Sequence, residues 1–348
     1  MTQCLTSLRH LAIAGVIAAI STSTTAATPK AGDPSLQKWL LPEVVPQPEN
    51  NKLTPERIAL GKQLFFDPRL SGDGNMSCAT CHNPAFGWSD GMPTGRGHKS
   101  KRLDRATPVI TNTAYNAVQM WDGRKRTLED QAMGPMEATV EMNMDVKRLF
   151  DWLNSNQGYR EAFEKAYPGE GINQDTLSRA LASYERTIVS RNSPFDQWVR
   201  GDAKAMTPQQ VRGFEIFLDP ERGNCSVCHS APNFVDNGFH NLGLKSQADE
   251  NPDLGRYVQL PLPRMKGAFK TPTLRDIELS APYFHDGSAA TLMDVMRTYA
   301  EHGYVEGNIS PEIEKINLGE QDMKDLVAFM KALTTEPAAV ELPRLPLE

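Results

Sequence analysis

Long apolar runs, an excess of basic charge and regular β-type alternation are all missing from this chain, and cysteine is sparse. With 37 Lys and Arg against 43 Asp and Glu, the formal charge is −6. A surface without basic excess excludes nucleic acid as the natural partner, because phosphate neutralisation needs one. The apolar stretch at 11–20, "LAIAGVIAAI", is too short to span a bilayer, and no later segment comes closer. The hydrophobic share of 39% nevertheless builds a globular core, and 348 residues exceed the roughly 250–300 that one core serves. Two domains are expected.

The N-terminus differs from the rest. Arg9 and His10 precede that apolar run, and "STSTTAA" then supplies small residues for cleavage near Ala26 or Ala27. This is the pattern of a secretory signal over 1–27, with a retained amphipathic anchor as the competing reading. The expected protein is exported or periplasmic, with no membrane span.

Of five cysteines, Cys4 falls in the signal and the other four form two pairs, "CATCH" at 78–82 and "CSVCH" at 225–229. C-x-x-C followed directly by His is the attachment signal for c-type haem, two thiols holding the porphyrin while the imidazole binds iron. A lone copy would suit a redox dithiol, and both pairs together a zinc site. Zinc would leave both adjacent histidines unexplained. Two covalent haem c groups are therefore expected, on Cys78, Cys81 and His82 and on Cys225, Cys228 and His229.

The signals sit in a degenerate repeat. "TPERIALGKQLFFDP" from Thr54 and "TPQQVRGFEIFLDP" from Thr207 each put Thr at a helix N-cap, Pro at the first helical position and Asp-Pro at the stop. Stripes at Val146/Leu149/Phe150/Leu153, Leu177/Ala180/Leu181/Tyr184/Ile188, Leu292/Val295/Met296/Tyr299 and Met323/Leu326/Val327/Met330 predict further helices. The fold class is mainly α, two cytochrome c-like domains over 28–200 and 201–348, each with one haem. Segments 41–51 and 251–273, rich in proline, read as extended chain and loop.

From about Thr54 onward the chain resembles the bacterial di-haem cytochrome c peroxidases and their MauG-type relatives. The blocks that carry the likeness are "LGKQLFFDPRLS", "MSCATCHNP", "MWDGR", "LEDQAMGPMEATVEMN", "NSPFD", "CSVCH" and "TPTLRDIELSAPYFHDG". The resemblance implies an N-terminal haem where peroxide reacts and a C-terminal haem that supplies or stores electrons. It places Trp121 between the haems, with Gln131, Glu141 and Pro135 on the peroxide side of the first. An indole between irons is an oxidisable stepping stone, and a carboxylate over an open iron can move the peroxide proton. From the residues alone, a core Trp and a solvated Glu serve as well. His98 matches a loop histidine that ligates the first iron in many relatives. Its neighbours Arg96, Lys99, Lys101, Arg102 and Arg105 equally suit haem propionates or an acidic partner.

The second iron's other ligand is Tyr299 or Met296, one turn apart, which periodicity does not separate. The resemblance puts methionine at position 299 in the conventional peroxidases and tyrosine in the MauG-type members, favouring Tyr299. A thioether suits the reduced iron, a phenolate the oxidised one. The resemblance also implies a calcium ion on the carbonyls of Ser280 and Pro282, but the usual asparagine ligand is replaced by Ala106. The activity implied is MauG-like oxidation of tryptophan residues in a partner protein, using hydrogen peroxide through a high-valent di-haem state. The alternatives are conventional reduction of peroxide with electrons from a small cytochrome c or cupredoxin, and a non-catalytic di-haem carrier.

Overall fold

The computed structural model describes residues 28–305 and 307–347; the expected signal, 1–27, lies outside the described residues. Helices dominate. The longer ones are α1 (Pro55–Phe66), α5 (Val146–Ser155), α6 (Gln157–Ala166), α7 (Gln174–Glu185), α9 (Pro208–Leu218), α10 (Leu292–Ala300) and α11 (Glu320–Ala332). Short helices α2 (Cys78–Cys81), α3 (Leu128–Ala132), α4 (Gly134–Glu137) and α8 (Pro194–Val199) lie between them. Among the described residues the strands form one antiparallel pair, β1 (Phe239–His240) with β2 (Phe269–Lys270).

The repeat is visible in the fold atom by atom. Thr54 caps α1 by accepting the Arg57 amide, and Thr207 caps α9 by accepting that of Gln210, each at 3.3 Å. Asp67 and Asp219 end those helices, and each carboxylate accepts the amide two residues on at 2.9 Å. Six residues before each Asp stands a glycine. A Cβ on Gly61 would run into the Ala180 carbonyl of α7, and one on Gly213 into the Asp325 carbonyl of α11. Hydrogen in place of a side chain lets α1 cross α7, and α9 cross α11, in close contact.

Two buried clusters result. The first gathers side chains from Leu60 to Ile188, including Leu149, Phe163 and Leu181. The second gathers Phe195, Phe214, Phe217, Phe234, Leu326 and Phe329, joined by Leu36 and Trp39 from the start of the described chain. The two-unit division stays a proposal, and the packing departs from the sequence reading at both ends of 28–200, since Phe195, Trp198 and Val199 also join the second cluster. Leu36 and Trp39, expected with the first unit, pack in the second, because Trp39 finds its aromatic neighbours there, Phe234 at 4.8 Å and Phe214 at 5.7 Å between ring centroids.

Candidate haem and peroxide site

One continuous cavity of about 1020 Å³ runs between the clusters and is lined by residues of both C-x-x-C-H segments. At each end the same local device aims a histidine. The His82 amide donates to Cys78 O at 2.8 Å and the His229 amide to Cys225 O at 2.9 Å, closing one turn across each motif. The His82 Nδ1 lies 3.2 Å from the Trp88 carbonyl, and the His229 Nδ1 3.0 Å from that of Phe234. Both carbonyl-bearing residues adopt positive φ, 63° and 54°, which turns the backbone back toward the ring. With Nδ1–H committed to a carbonyl, Nε2 keeps its lone pair, as an iron-binding imidazole requires. Burial lowers the pKa of both rings, that of His229 to about 4, so both are neutral.

The four thiols are unpaired and line the cavity. Burial pushes the Cys81 thiol up to about 11 and Cys78 higher, so both are uncharged thiols at neutral pH. Two neutral, half-buried imidazoles, each beside a thiol pair and facing one apolar chamber, fit two haem c groups. Cys228, Asp236 and His240 also lie within ligand distance of one another. His240 is occupied by Asp236 at 2.8 Å: burial opposes its charge, yet Asp236 pushes it up to about 10.

Trp121, Gln131, Pro135 and Glu141 all line the same cavity. Gln131 lies on α3, capped by Thr127 at 3.1 Å and tied to α7 by Glu129, which takes both terminal nitrogens of Arg186 at 2.8 and 3.1 Å. Pro135 lies on α4, and Glu141 ends the turn after it, its amide donating to Ala138 O at 3.0 Å. Burial raises the Glu141 pKa against the pull of Arg124. Trp121 is held at three points. Its indole N–H donates to Ala106 O at 2.9 Å, its carbonyl accepts the Lys270 amide at 2.8 Å, and the next residue, Asp122, accepts Arg105 at 2.8 Å and Arg124 at 3.0 Å. Burial works against the charge on Asp122, but the two guanidinium groups hold its pKa below the usual value.

His98 does not line the cavity. Its amide donates to Val140 O at 3.2 Å, and its ring lies between Asp73 at 3.4 Å and Asn143 at 3.3 Å. Tyr299 and Met296 both face the cavity from α10. Tyr299 is partly exposed into it, and the charge of its phenolate would be felt by both Cys225 and Cys228; burial pushes the phenol up. Met296 is 5% exposed and belongs to the core with Leu292 and Val295. Ser280 and Pro282 line the cavity too, while residue 106 offers only a methyl group and a backbone carbonyl that Trp121 already occupies.

Sequence reasoning singles out neither Lys270 nor Glu185, and it reads His285, in the "YFHDG" block, as structural; all three line the cavity. His285 is 4% exposed and stacks on Phe269 with centroids 3.5 Å apart. Lys270 is buried, its pKa lowered to about 8, and its ammonium donates to Thr271 O at 2.9 Å. Glu185 ends α7 on the face of Leu177 and Leu181, and burial raises it to about 8. A carboxylate continuing an apolar i, i+4, i+8 stripe was the available signal.

A helical protein with two such histidine-and-thiol sites on one chamber is, as a class, a protein built to hold a pair of c-type haems. Comparison with known proteins makes the class specific. The profile described as "Di-haem cytochrome c peroxidase" matches residues 55–204. The chain is 41% identical over 344 residues to the methylamine utilization protein MauG of Methylorubrum extorquens, covering 97% of this chain and 96% of that protein. It is 35% identical over 312 residues to the cytochrome c551 peroxidase of Pseudomonas aeruginosa, covering 88% and 86%. Among solved structures, a MauG-like protein associated with microbial copper homeostasis superposes with a TM-score of 0.78 at 30% identity, covering 86% and 95%. The chain belongs to the di-haem cytochrome c peroxidase family. It is a haem-dependent peroxidase acting on hydrogen peroxide, with haem c as its cofactor. No helix among the described residues is long and apolar enough to cross a membrane.

Proposed function

We propose that this chain is an exported, MauG-type di-haem peroxidase that uses hydrogen peroxide to oxidise tryptophan residues of a partner protein. The observation that carries the reading is Tyr299, a phenol facing the second haem site beside Cys225 and Cys228. When bound, the haem pair supplies the iron that cleaves peroxide and the capacity to hold two oxidising equivalents.

The chain's own residues have these roles. Cys78, Cys81 and His82 hold the first haem; Cys225, Cys228, His229 and Tyr299 hold the second. Glu141 accepts the proton of incoming peroxide and returns it to the departing oxygen, a transfer suited to a carboxyl whose pKa burial has raised. Gln131 orients the peroxide, Pro135 narrows the approach, and Trp121 relays electrons between the two sites. Calcium is left out of the proposal: a hard cation takes about six to eight oxygen ligands, and Ala106 contributes no side-chain oxygen.

Met296 supports the second reading, a conventional cytochrome c peroxidase fed by a small cytochrome or cupredoxin, because it too lines the cavity. Titration of the ferric holoprotein with peroxide, followed by near-infrared and EPR spectroscopy, distinguishes the two. A high-valent signal at both haems without prior reduction supports the MauG-type reading; its appearance only after reduction of the second haem supports the conventional one.

A further inference from the structure

Glu185 is 7% exposed and its carboxyl faces the first haem site, where its charge is felt by the Cys78 thiol. Among the described residues no donor hydrogen-bonds to it. Arg186 adjoins it in sequence, but that guanidinium is committed to Glu129 at 2.8 and 3.1 Å and to Pro46 O at 3.3 Å. The charged or titratable groups facing it are therefore Arg186 from its own segment, Glu129 from α3 and Cys78 from α2. From α1, the contact with α7 is made by Gly61 and apolar side chains. Glu141, another of the carboxyl-bearing residues lining the chamber, stands instead near Cys81. The charge of one carboxyl is felt by Cys78 and that of the other by Cys81.

A buried carboxyl without a partner is costly, and it keeps its proton to avoid charge in a poorly solvated place. Burial indeed holds Glu185 at about 8, protonated at neutral pH. It lines the cavity on the side of the first haem site. Positive charge gained by an iron there would act on the carboxyl through a weakly screening medium and favour the carboxylate.

We propose that Glu185 is a redox-linked proton site of the first haem, losing one proton when the neighbouring iron gives up an electron and regaining one when the electron returns. The exchange balances. Ferrous iron and the protonated carboxyl become ferric iron, a carboxylate, one proton in solvent and one electron on the oxidant, which is the electrode of the test. The net charge of the chamber stays constant through the cycle, so no counter-ion has to enter. This rests on family membership and the haem it brings, and not on Tyr299 or on the partner.

The test is redox-difference infrared spectroscopy of the di-haem holoprotein in water and in heavy water, with spectroelectrochemistry of the first haem at several pH values. On oxidation, wild type loses a deuterium-sensitive carbonyl stretch of a protonated carboxyl. That band is absent in Glu185→Gln and retained in Glu141→Gln. The midpoint of the first haem falls as pH rises, and in Glu185→Gln this dependence shrinks at least about twofold. A band that survives in Glu185→Gln, or an unchanged pH dependence, overturns the proposal. Should Glu185→Gln fail to take up both haems, Glu185→Asp decides: a displaced band supports the assignment and an undisplaced one overturns it. No peroxide is used, so the outcome is separate from that of the function proposed above.

Discussion

The indole of Trp121 donates its N–H to the carbonyl oxygen of Ala106 at 2.9 Å, and the Ala106 amide in turn donates to His285 O at 2.7 Å. A backbone carbonyl orients an indole but is far too weak a base to take its proton. In the relay role proposed for it, Trp121 therefore keeps its N–H.

Trp121→Phe removes the relay and leaves an aromatic ring in place. Peroxide added to the ferric variant should then perturb the first haem's absorbance without the matching change at the second. Stopped-flow absorbance with EPR checks this. Simultaneous changes at both haems in the variant would remove Trp121 from the path.

Tyr299→Phe should change the spectrum and midpoint of the second haem, whereas Met296→Leu should leave both untouched. Replacing Met296 by a residue of similar volume within its core should cost less than about 1.5 kcal/mol. Absorption spectra and potentiometry of the two variants decide between oxygen and sulfur as the ligand, and the opposite pattern returns the chain to the conventional group.

The proposed role of Glu141 requires its ionised form to accept the first proton. Its pKa is raised by burial, so the rate of peroxide reaction should climb as pH rises through that value and level off above it. In Glu141→Gln the rate should fall by about 10²–10⁴ and the climb should disappear. Single-turnover kinetics against pH measure both.

Gly61→Ala and Gly213→Ala offer a test of the duplicated architecture. Elsewhere in a helix, alanine would stabilise by about 1 kcal/mol. Here the added methyl group meets a backbone carbonyl of the crossing helix, so each variant should lose about 1–3 kcal/mol instead. Chemical denaturation of the holoprotein gives the sign directly.

Much of this molecule was legible in its sequence because the signals were local. The Thr-Pro caps, the Asp stops and the stripe of α5 each depend on a few adjacent residues, and all three are found in the structure. The histidine-after-thiol motif likewise contains its own geometry, since the amide bond from His82 back to Cys78 closes within it. The clamp on Trp121 was not legible. It joins three separate segments, at Arg105 and Ala106, at Trp121 and Asp122, and at Lys270, whose meeting depends on the packing of two cores. Leu177 and Leu181 marked a buried face, but what opposes Glu185 on that face is set by α2 and α3.

Trp39 has one further consequence. Its carbonyl accepts Arg275, a fully buried side chain that also pairs with Asp196 at 2.9 Å, and its ring fills the space where Phe214, Phe217 and Phe234 converge. A half-protein begun at residue 201 would lack that plug and carry an indole-shaped hole beside its own haem pocket. The later half of the fold is thus completed by a segment from well before it, and neither half is a spare part that could be transplanted intact.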